Sequence, residues 1–279
     1  MTSHNNTKVS IAEGCRKTGV SRQAYYKHMR RAENLKQIEQ QIVDLVVEER
    51  KYHPRMGGRK LYHKLKDQFN EMAIPMGRDR LFDLLARRHL LVKPRRRRGP
   101  RCTDGAATWW KNILSQTDIT GPNQGWVADI SYLYTMDGFC YMALISDVYS
   151  RKIVGWDVSQ SLELDGALRA LKMAMKTLPA GATPIHHSDR GSQYRSKAYT
   201  QYLLDNGCSV SMTEVDHCAE NAQAERVNGI LKSEYYLDAT FRNSEQATKA
   251  VETAIKAYNQ WRPHYSLNYQ VPEVVHQAS

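Results

Sequence analysis

Apolar residues recur every three or four positions in the first ninety residues of this 279-residue chain, then give way to strand-like runs after residue 125. Residues 11–31, IAEGCRKTGVSRQAYYKHMRR, read as helix, tight turn, helix. Gly19 suits the turn, and Ser21 suits the N-cap of the second helix. The exposed face of that second helix offers Arg22, Gln23, Tyr26 and Lys27. A linking helix is expected near 36–50. The Gly57-Gly58 break then opens a second helical pair over 57–91, in which Leu81, Leu84 and Leu85 keep helical spacing.

The pattern changes at WVADISYLYT (126–135), FCYMALISDVYS (139–150) and KIVGWDVS (152–159), all rich in β-branched and aromatic residues. Met136-Asp137-Gly138 and Ser150-Arg151 read as hairpin turns, so three antiparallel strands are expected. Helices over 162–178, 196–207 and 219–236 alternate with short strands at 183–189 and 209–214. That order predicts an α/β core, a mixed sheet flanked by helices. A helix over Ser244–Gln260 and an aromatic, proline-bearing tail follow. Four regions result. Residues 1–92 form an all-α, helix-turn-helix region, and 93–120 a linker. Residues 121–240 form the α/β core, and 241–279 a C-terminal helix and tail laid against it.

Charge adds a division of labour. Residues 1–120 hold 26 Lys and Arg against 12 Asp and Glu, whereas residues 121–279 hold 14 against 17. A basic half joined to a slightly acidic half suggests a polyanion-binding module attached to something that needs carboxylates. Arg59 and Lys60 in the second helical pair are basic candidates of this kind. So are Arg95, Arg96, Arg97 and Arg98 in the linker, which can lie along phosphates. No run of about 18 apolar residues occurs, and the N-terminus lacks an apolar leader, so a cytoplasmic protein is expected. Five scattered cysteines without a C-x-x-C pair argue against a disulfide framework.

Candidate chemistry lies in the second half. Asp129 interrupts an apolar strand, Asp189 ends another, and Glu225 lies in the last core helix beside Ala222 and Ala224. Charged groups so placed need partners. Three converging carboxylates supply only hard oxygen ligands, which suits Mg²⁺ or Mn²⁺. Two such ions can activate an attacking oxygen and stabilise a leaving one in phosphoryl transfer. The three carboxylates are therefore expected to converge within metal-bridging distance. His186-His187 and His217-Cys218 are too irregularly placed for a zinc module.

The motifs around these residues resemble a known family. Trp126-Val-Ala-Asp129 matches a W-x-x-D strand, and His187-Ser-Asp189-Arg-Gly-Ser-Gln-Tyr194 an H-S-D-x-G-x-Q-Y loop. Glu220-Asn-Ala-Gln-Ala-Glu225, followed by Leu231-Lys232-Ser-Glu234, matches a D-N-A-x-x-E…L-K-x-E helix, with Glu220 where Asp is usual. Tyr258-Asn-Gln-Trp-Arg-Pro263-His-Tyr-Ser-Leu267 matches Y-N-x-x-R-P-H-x-S-L, and 35 residues separate Asp189 from Glu225. Together these resemble the insertion sequence 3 family of bacterial transposases, in its OrfB-type catalytic subunit. We read Glu220 as a helix-start residue favoured by the helix dipole.

The resemblance implies an RNase H-like, DDE-type catalytic core shared with retroviral integrases, with Asp129, Asp189 and Glu225 as the catalytic and metal-holding residues. It implies Mg²⁺ or Mn²⁺, in a pair of ions. Water or a DNA 3′-hydroxyl attacks at the element's end, and the freed 3′-hydroxyl attacks another strand. Ser188, Gln193, Asn221 and Lys232 are its DNA-facing candidates. Partners are the terminal inverted repeats, target DNA, further copies of the chain on DNA, and a fused or separate product of the upstream frame. A nuclease or resolvase that cuts without joining uses the same carboxylates, and a non-catalytic DNA-binding regulator stands as a third reading.

Overall fold

The computed structural model describes residues 10–92, 110–214 and 220–278. Arg95, Arg96, Arg97 and Arg98 lie outside the described residues. Helix α1 (Ile11–Thr18) starts where the Ser10 hydroxyl accepts the Glu13 N–H, and it stops at Gly19, whose φ of 71° is left-handed. Ser21 then caps α2 by accepting the Ala24 N–H at 3.1 Å.

The expected linking helix is not a separate element. Helix α2 runs unbroken over Arg22–Tyr52, 31 residues, because nothing from 22 to 52 is Gly or Pro. It ends before Pro54, which disfavours helix in the residue preceding it. Only the second half of α2 is anchored. Ile42 and Val46 join the buried side chains of α3 (Gly58–Glu71) and α4 (Arg78–Arg87), with Leu61, Leu65, Phe69, Leu81, Leu84 and Leu85 at their centre. The first half of α2, with α1 beside it, projects from this core.

The sheet runs β3-β2-β1-β4-β5, with β6 paired to β1. Strands β1 (Gly125–Thr135), β2 (Gly138–Asp147) and β3 (Ile153–Ser159) are antiparallel. Strands β4 (Ile185–Ser188) and β5 (Ser209–Met212) extend the sheet parallel to β1. Two-residue β6 (Thr240–Phe241) is too short to leave a sequence pattern.

Side chains alternate across β1 as the pleat requires. Trp126 and Ala128 pack toward α5 (Leu164–Lys176) and α7 (Lys197–Asp205), the latter preceded by the short α6 (Ser192–Arg195). Leu133, and Met142 and Leu144 of β2, pack with α8 (Ala222–Glu234) and α9 (Ser244–Trp261). Helix α9 thus completes the same core as the sheet. Helix α5 lies so close to β3 that a Cβ at Gly155 would come within 2.2 Å of the Ala170 carbonyl. This is the mixed-sheet, RNase H-like core preceded by helices that the sequence predicts.

The helical region docks on the far end of α8. Lys60 Nζ lies 2.6 Å from Glu234 Oε1, the Arg55 N–H reaches the Glu234 carbonyl, and His53 Nδ1 meets the Tyr235 hydroxyl at 3.0 Å. The His63 ring stacks on Tyr269 with centroids 3.6 Å apart. Beyond Pro263 the chain returns across the core, where α10 (Pro272–Gln277) places His276 on the Ser150 hydroxyl and Glu273 on Lys152.

Candidate active site

Parallel pairing sets the first two carboxylates side by side. Ala128 is in register with Ser188, the last pair of the β1–β4 ladder, so Asp129 and Asp189 are the next residues along the two chains. Asp189 continues directly from the C-terminal end of β4, where the chain leaves the sheet. There the Gly191 N–H donates to its Oδ1 at 3.0 Å, and a Cβ at Gly191 would meet that same oxygen at 3.0 Å. The glycine of the loop therefore keeps the backbone close to the carboxylate.

Helix α8 supplies the third group and lies across β1. Asn221, Glu225, Asn228 and Lys232 recur at spacings of four, three and four residues, one stripe of the helix. Asn221 Nδ2 donates to the Ala128 carbonyl at 3.1 Å, which ties the start of the helix to β1 one residue before Asp129. Two turns later Asn228 Nδ2 donates to Asp129 Oδ2 at 2.8 Å. Glu225 lies between these two anchors on the stripe.

Burial, followed by the negative charges of Asp189 and Glu225, pushes the Asp129 carboxyl up to about 7, against the opposing bond from Asn228. That mutual influence shows three carboxylates sharing one field. Burial lowers the Lys232 ammonium pKa, and the Asp129 charge offsets part of that shift, so a cation belongs to the same cluster. Convergence to metal-bridging distance is not met as the side chains stand. Glu225 is exposed, and among the described residues no three His, Cys, Asp or Glu side chains gather tightly enough to hold an ion. Three like charges repel, and Asp129 satisfies one oxygen with Asn228 instead. The donor set nonetheless fits a hard divalent cation: it is all oxygen, and the Asp129 carboxyl is raised by burial and then by the neighbouring negative charges.

Known proteins carry the same core. Descriptions of an integrase core domain match residues 119–218 and again 206–272. Over 260 residues the chain is 33% identical to an insertion element IS600 uncharacterized 31 kDa protein from Shigella sonnei, covering 91% of this chain and 93% of that one. A transposase for insertion sequence element IS904 from Lactococcus lactis is 35% identical over 61% of this chain and 68% of its own length. The chain belongs to the insertion sequence 3 family of transposases. It also matches a transposase for IS629 from Shigella sonnei at 38% identity, spanning 56% of this chain and about half of that relative, 53%. The catalytic core domain of HTLV-2 integrase in complex with magnesium superposes on 57% of this transposase and 99% of that domain, with 17% identity and a TM-score of 0.46.

Several family motifs turn out to be structural. The tryptophan of W-x-x-D, Trp126, is fully buried in the core. His186 and His187 are buried, bonded to the Tyr199 and Ser211 hydroxyls, and burial lowers them to about 3 and about 4, so both are neutral at pH 7. Glu220, just before the N-cap of α8, also makes hydrogen bonds of its own. Its Oε2 accepts the Glu214 N–H at 2.6 Å and Asn112 Nδ2 at 2.9 Å, which ties the end of β5 to the segment before β1.

Three of the expected DNA-facing residues point inward. Ser188 is buried, and its hydroxyl donates to the Asp189 carbonyl. Asn221 is buried as the strap to β1, and Lys60 is half-buried against Glu234. Gln193 donates its side-chain amide to the Leu162 carbonyl. Asn221, Lys60 and Gln193 each sit where another element claims the polar group, which spacing along one element does not reveal. Arg59 is exposed, and Arg22, Gln23, Tyr26 and Lys27, joined by Arg30, line one shallow groove along α2. Asn228 went unnoticed in the sequence. Its signal was available, since it lies three residues after Glu225 on the same helix face.

Proposed function

We propose that this transposase cleaves DNA at the ends of its element and joins the freed 3′-hydroxyls to target DNA. In this reading Asp129, Asp189 and Glu225 are the catalytic carboxylates. The observation that carries it is the carboxyl group of Asp129, raised to about 7 by burial and by both other acids, at the place where β1, β4 and α8 meet. These residues would hold two divalent ions, which supply charge neutralisation and Lewis acidity to the attacking and leaving oxygens of a phosphodiester. Asn228 fixes one oxygen of Asp129. The Gly191 N–H fixes one oxygen of Asp189. Asn221 holds the helix that carries Glu225 against β1.

DNA-end recognition belongs to α1 and the first half of α2, with the division at 1–92, 93–120, 121–240 and 241–279 as the working domain plan. Arg22, Gln23 and Lys27 lie on an exposed helix face that no core residue covers. Replacing Arg22 and Lys27 together by Ala is expected to weaken binding to end-sequence DNA roughly tenfold or more. It should also lower the slope of log affinity against log salt by about two phosphate equivalents. Fluorescence anisotropy across a salt series reads both numbers.

Lys232 lies two turns beyond Glu225, about 10 Å along the axis, in the same stripe. Gly229 stands between them, and a Cβ there would meet nothing within 4 Å, so the backbone is open to a close approach. Lys232→Ala is expected to lower strand transfer at least tenfold, whereas Lys249→Ala should leave it unchanged. Lys249 sits on exposed α9 surface, paired with Glu245 in the preceding turn. Equal activities of the two variants would assign Lys232 to the solvated surface.

The deciding experiment for the whole reading is a strand-transfer assay with oligonucleotide duplex ends and a plasmid target, in Mg²⁺ and in EDTA. Joined products in Mg²⁺ alone support the proposal. Cleavage without joining identifies a nuclease, and binding without either identifies a regulator. We include assembly of several copies on DNA in the proposal.

A further inference from the structure

Beside the catalytic stripe, α8 presents a second polar face to a cleft of about 480 Å³. The walls come from distant parts of the chain: Arg226 of α8, Arg151 of the β2–β3 turn, Tyr258 and Arg262 at the end of α9, His264 beyond it, and Lys60 of α3. Four basic side chains line it against one carboxylate, that of Glu234. Both oxygens of Glu234 are already taken. Arg262 Nε donates to Oε2 at 2.9 Å, and Arg262 Nη2 and Lys60 Nζ donate to Oε1 at 3.0 and 2.6 Å.

What remains is a surplus of positive charge and of donors. Four of the lining residues each carry a buried polar atom with no hydrogen-bond partner: Arg151 Nε, Arg262 Nη1, the Tyr258 hydroxyl and His264 Nε2. Tyr258 is fully buried, and Arg262 is 3% exposed. Both guanidinium nitrogens can only donate, and the hydroxyl can donate as well. Unsatisfied buried donors are rare in folded proteins and call for an explanation. Arg151 carries a second anomaly, a backbone φ of 65° in a residue that is neither Gly nor Asn. Such backbone strain concentrates where a side chain must be aimed. Arg151 and Arg226 are close enough to repel one another, and both act on Tyr258, so the like charges converge on a common point.

We infer that this cleft is an anion site that takes a phosphate group, distinct from the carboxylate cluster and separated from it by the body of α8. The excess of basic donors in the lining and its net positive charge match a phosphate's acceptor oxygens. DNA backbone is the source that fits its position. Arg226 directly follows Glu225 on the exposed start of α8, so a strand laid over the catalytic stripe continues toward the cleft. That assignment of source rests on the proposed function, whereas the anion site itself does not.

Two measurements on the full chain in EDTA, where no catalysis occurs, test it. In the first, thermal unfolding is followed against inorganic phosphate, with chloride at matched ionic strength as control. Phosphate is expected to raise the wild-type Tm by several degrees. Tyr258→Phe, which removes one hydroxyl, should reduce the rise, and Arg151→Asn, which tolerates the left-handed backbone, should abolish it. In the second, binding of duplex DNA is followed against salt. Arg151→Asn is expected to reduce the slope of log affinity by about one phosphate equivalent and to weaken binding several-fold. A phosphate response without a change of slope keeps the site and overturns DNA as its source. Wild-type behaviour of both variants in both assays overturns the site. So does self-association that Arg151→Asn abolishes while phosphate has no effect, because a carboxylate of a second copy would then be the occupant. Loss of strand transfer in a carboxylate variant bears on neither result, which keeps failure of this inference separate from failure of the catalytic assignment.

Discussion

Asp189→Asn and Glu225→Gln are each expected to lower cleavage and strand transfer by roughly a thousandfold or more, while DNA affinity in EDTA stays within about twofold of wild type. Both substitutions keep the size of the side chain and remove one negative charge. Phosphoryl transfer draws several kcal/mol from metal ions held at the reacting oxygens, and each factor of ten in rate corresponds to about 1.4 kcal/mol. Affinity comes from Lys and Arg contacts to phosphates, which neither substitution touches. Both variants should fold. Glu225 is exposed, and Asp189 keeps an oxygen for the Gly191 N–H. The check is a strand-transfer time course beside anisotropy on the same DNA. A folded variant that loses binding and chemistry together would contradict this division. A variant that keeps near-normal strand transfer would remove its residue from the catalytic set.

The second large effect is on stability. Arg262→Ala is expected to destabilise the protein by about 3 kcal/mol and lower Tm by roughly 10 °C, because it leaves the recessed carboxylate of Glu234 with only Lys60 as partner. Bonds from Arg262, together with its charge and that of Lys60, hold Glu234 at about 2 despite the opposing effect of burial. The sign follows from that depression. A carboxyl whose folded pKa lies below its unfolded value contributes stability that is fully present above about 4.5 and is lost as pH falls toward 2. Wild type should therefore melt progressively lower across that window. Glu234→Gln should be less stable at pH 7 and much flatter between pH 4.5 and 2. Thermal unfolding followed by circular dichroism at several pH values reads both. Parallel pH curves for wild type and Glu234→Gln would show that this ion pair does not hold the helical region to the core.

The Glu234–Arg262 pair also shows what a motif can and cannot say. Glu234 closes the L-K-x-E segment, and Arg262 stands in the Y-N-x-x-R-P-H segment, so both enter the sequence reading as marks of the family. The structure shows them bonded to each other across 28 residues, with Lys60 of the helical region as a third member. Asn259 of the same motif brackets the Ile153 backbone, accepting its N–H and donating to its carbonyl at 2.9 Å each. The terminal motif is therefore a clamp that ties α9 to β3 and α8.

The amino-acid sequence by itself determined the local structure. Caps at Ser10 and Ser21, the turn at Gly19, the alternation along β1 and the helical spacing after residue 220 act within a few residues, where backbone sterics and periodic burial decide the outcome. The same local logic singled out three acids in apolar surroundings, because an unpartnered charge in such a stretch is costly wherever the stretch packs. Tertiary structure alone decided which polar groups are already claimed. Asn221 and Lys60 look like their exposed neighbours in the chain, but a carbonyl or carboxylate from another element takes each of them, whereas Ser188 is buried in the sheet and bonds the carbonyl of the next residue. It also decided that Asp129 and Asp189 each follow the last registered pair of β1 and β4, and that Tyr258, Arg151 and Arg262 share one cleft. Those pairings depend on sheet register and on where α8 and α9 cross the sheet. Their physical reason is the burial of apolar faces contributed by the whole chain, which no single segment encodes.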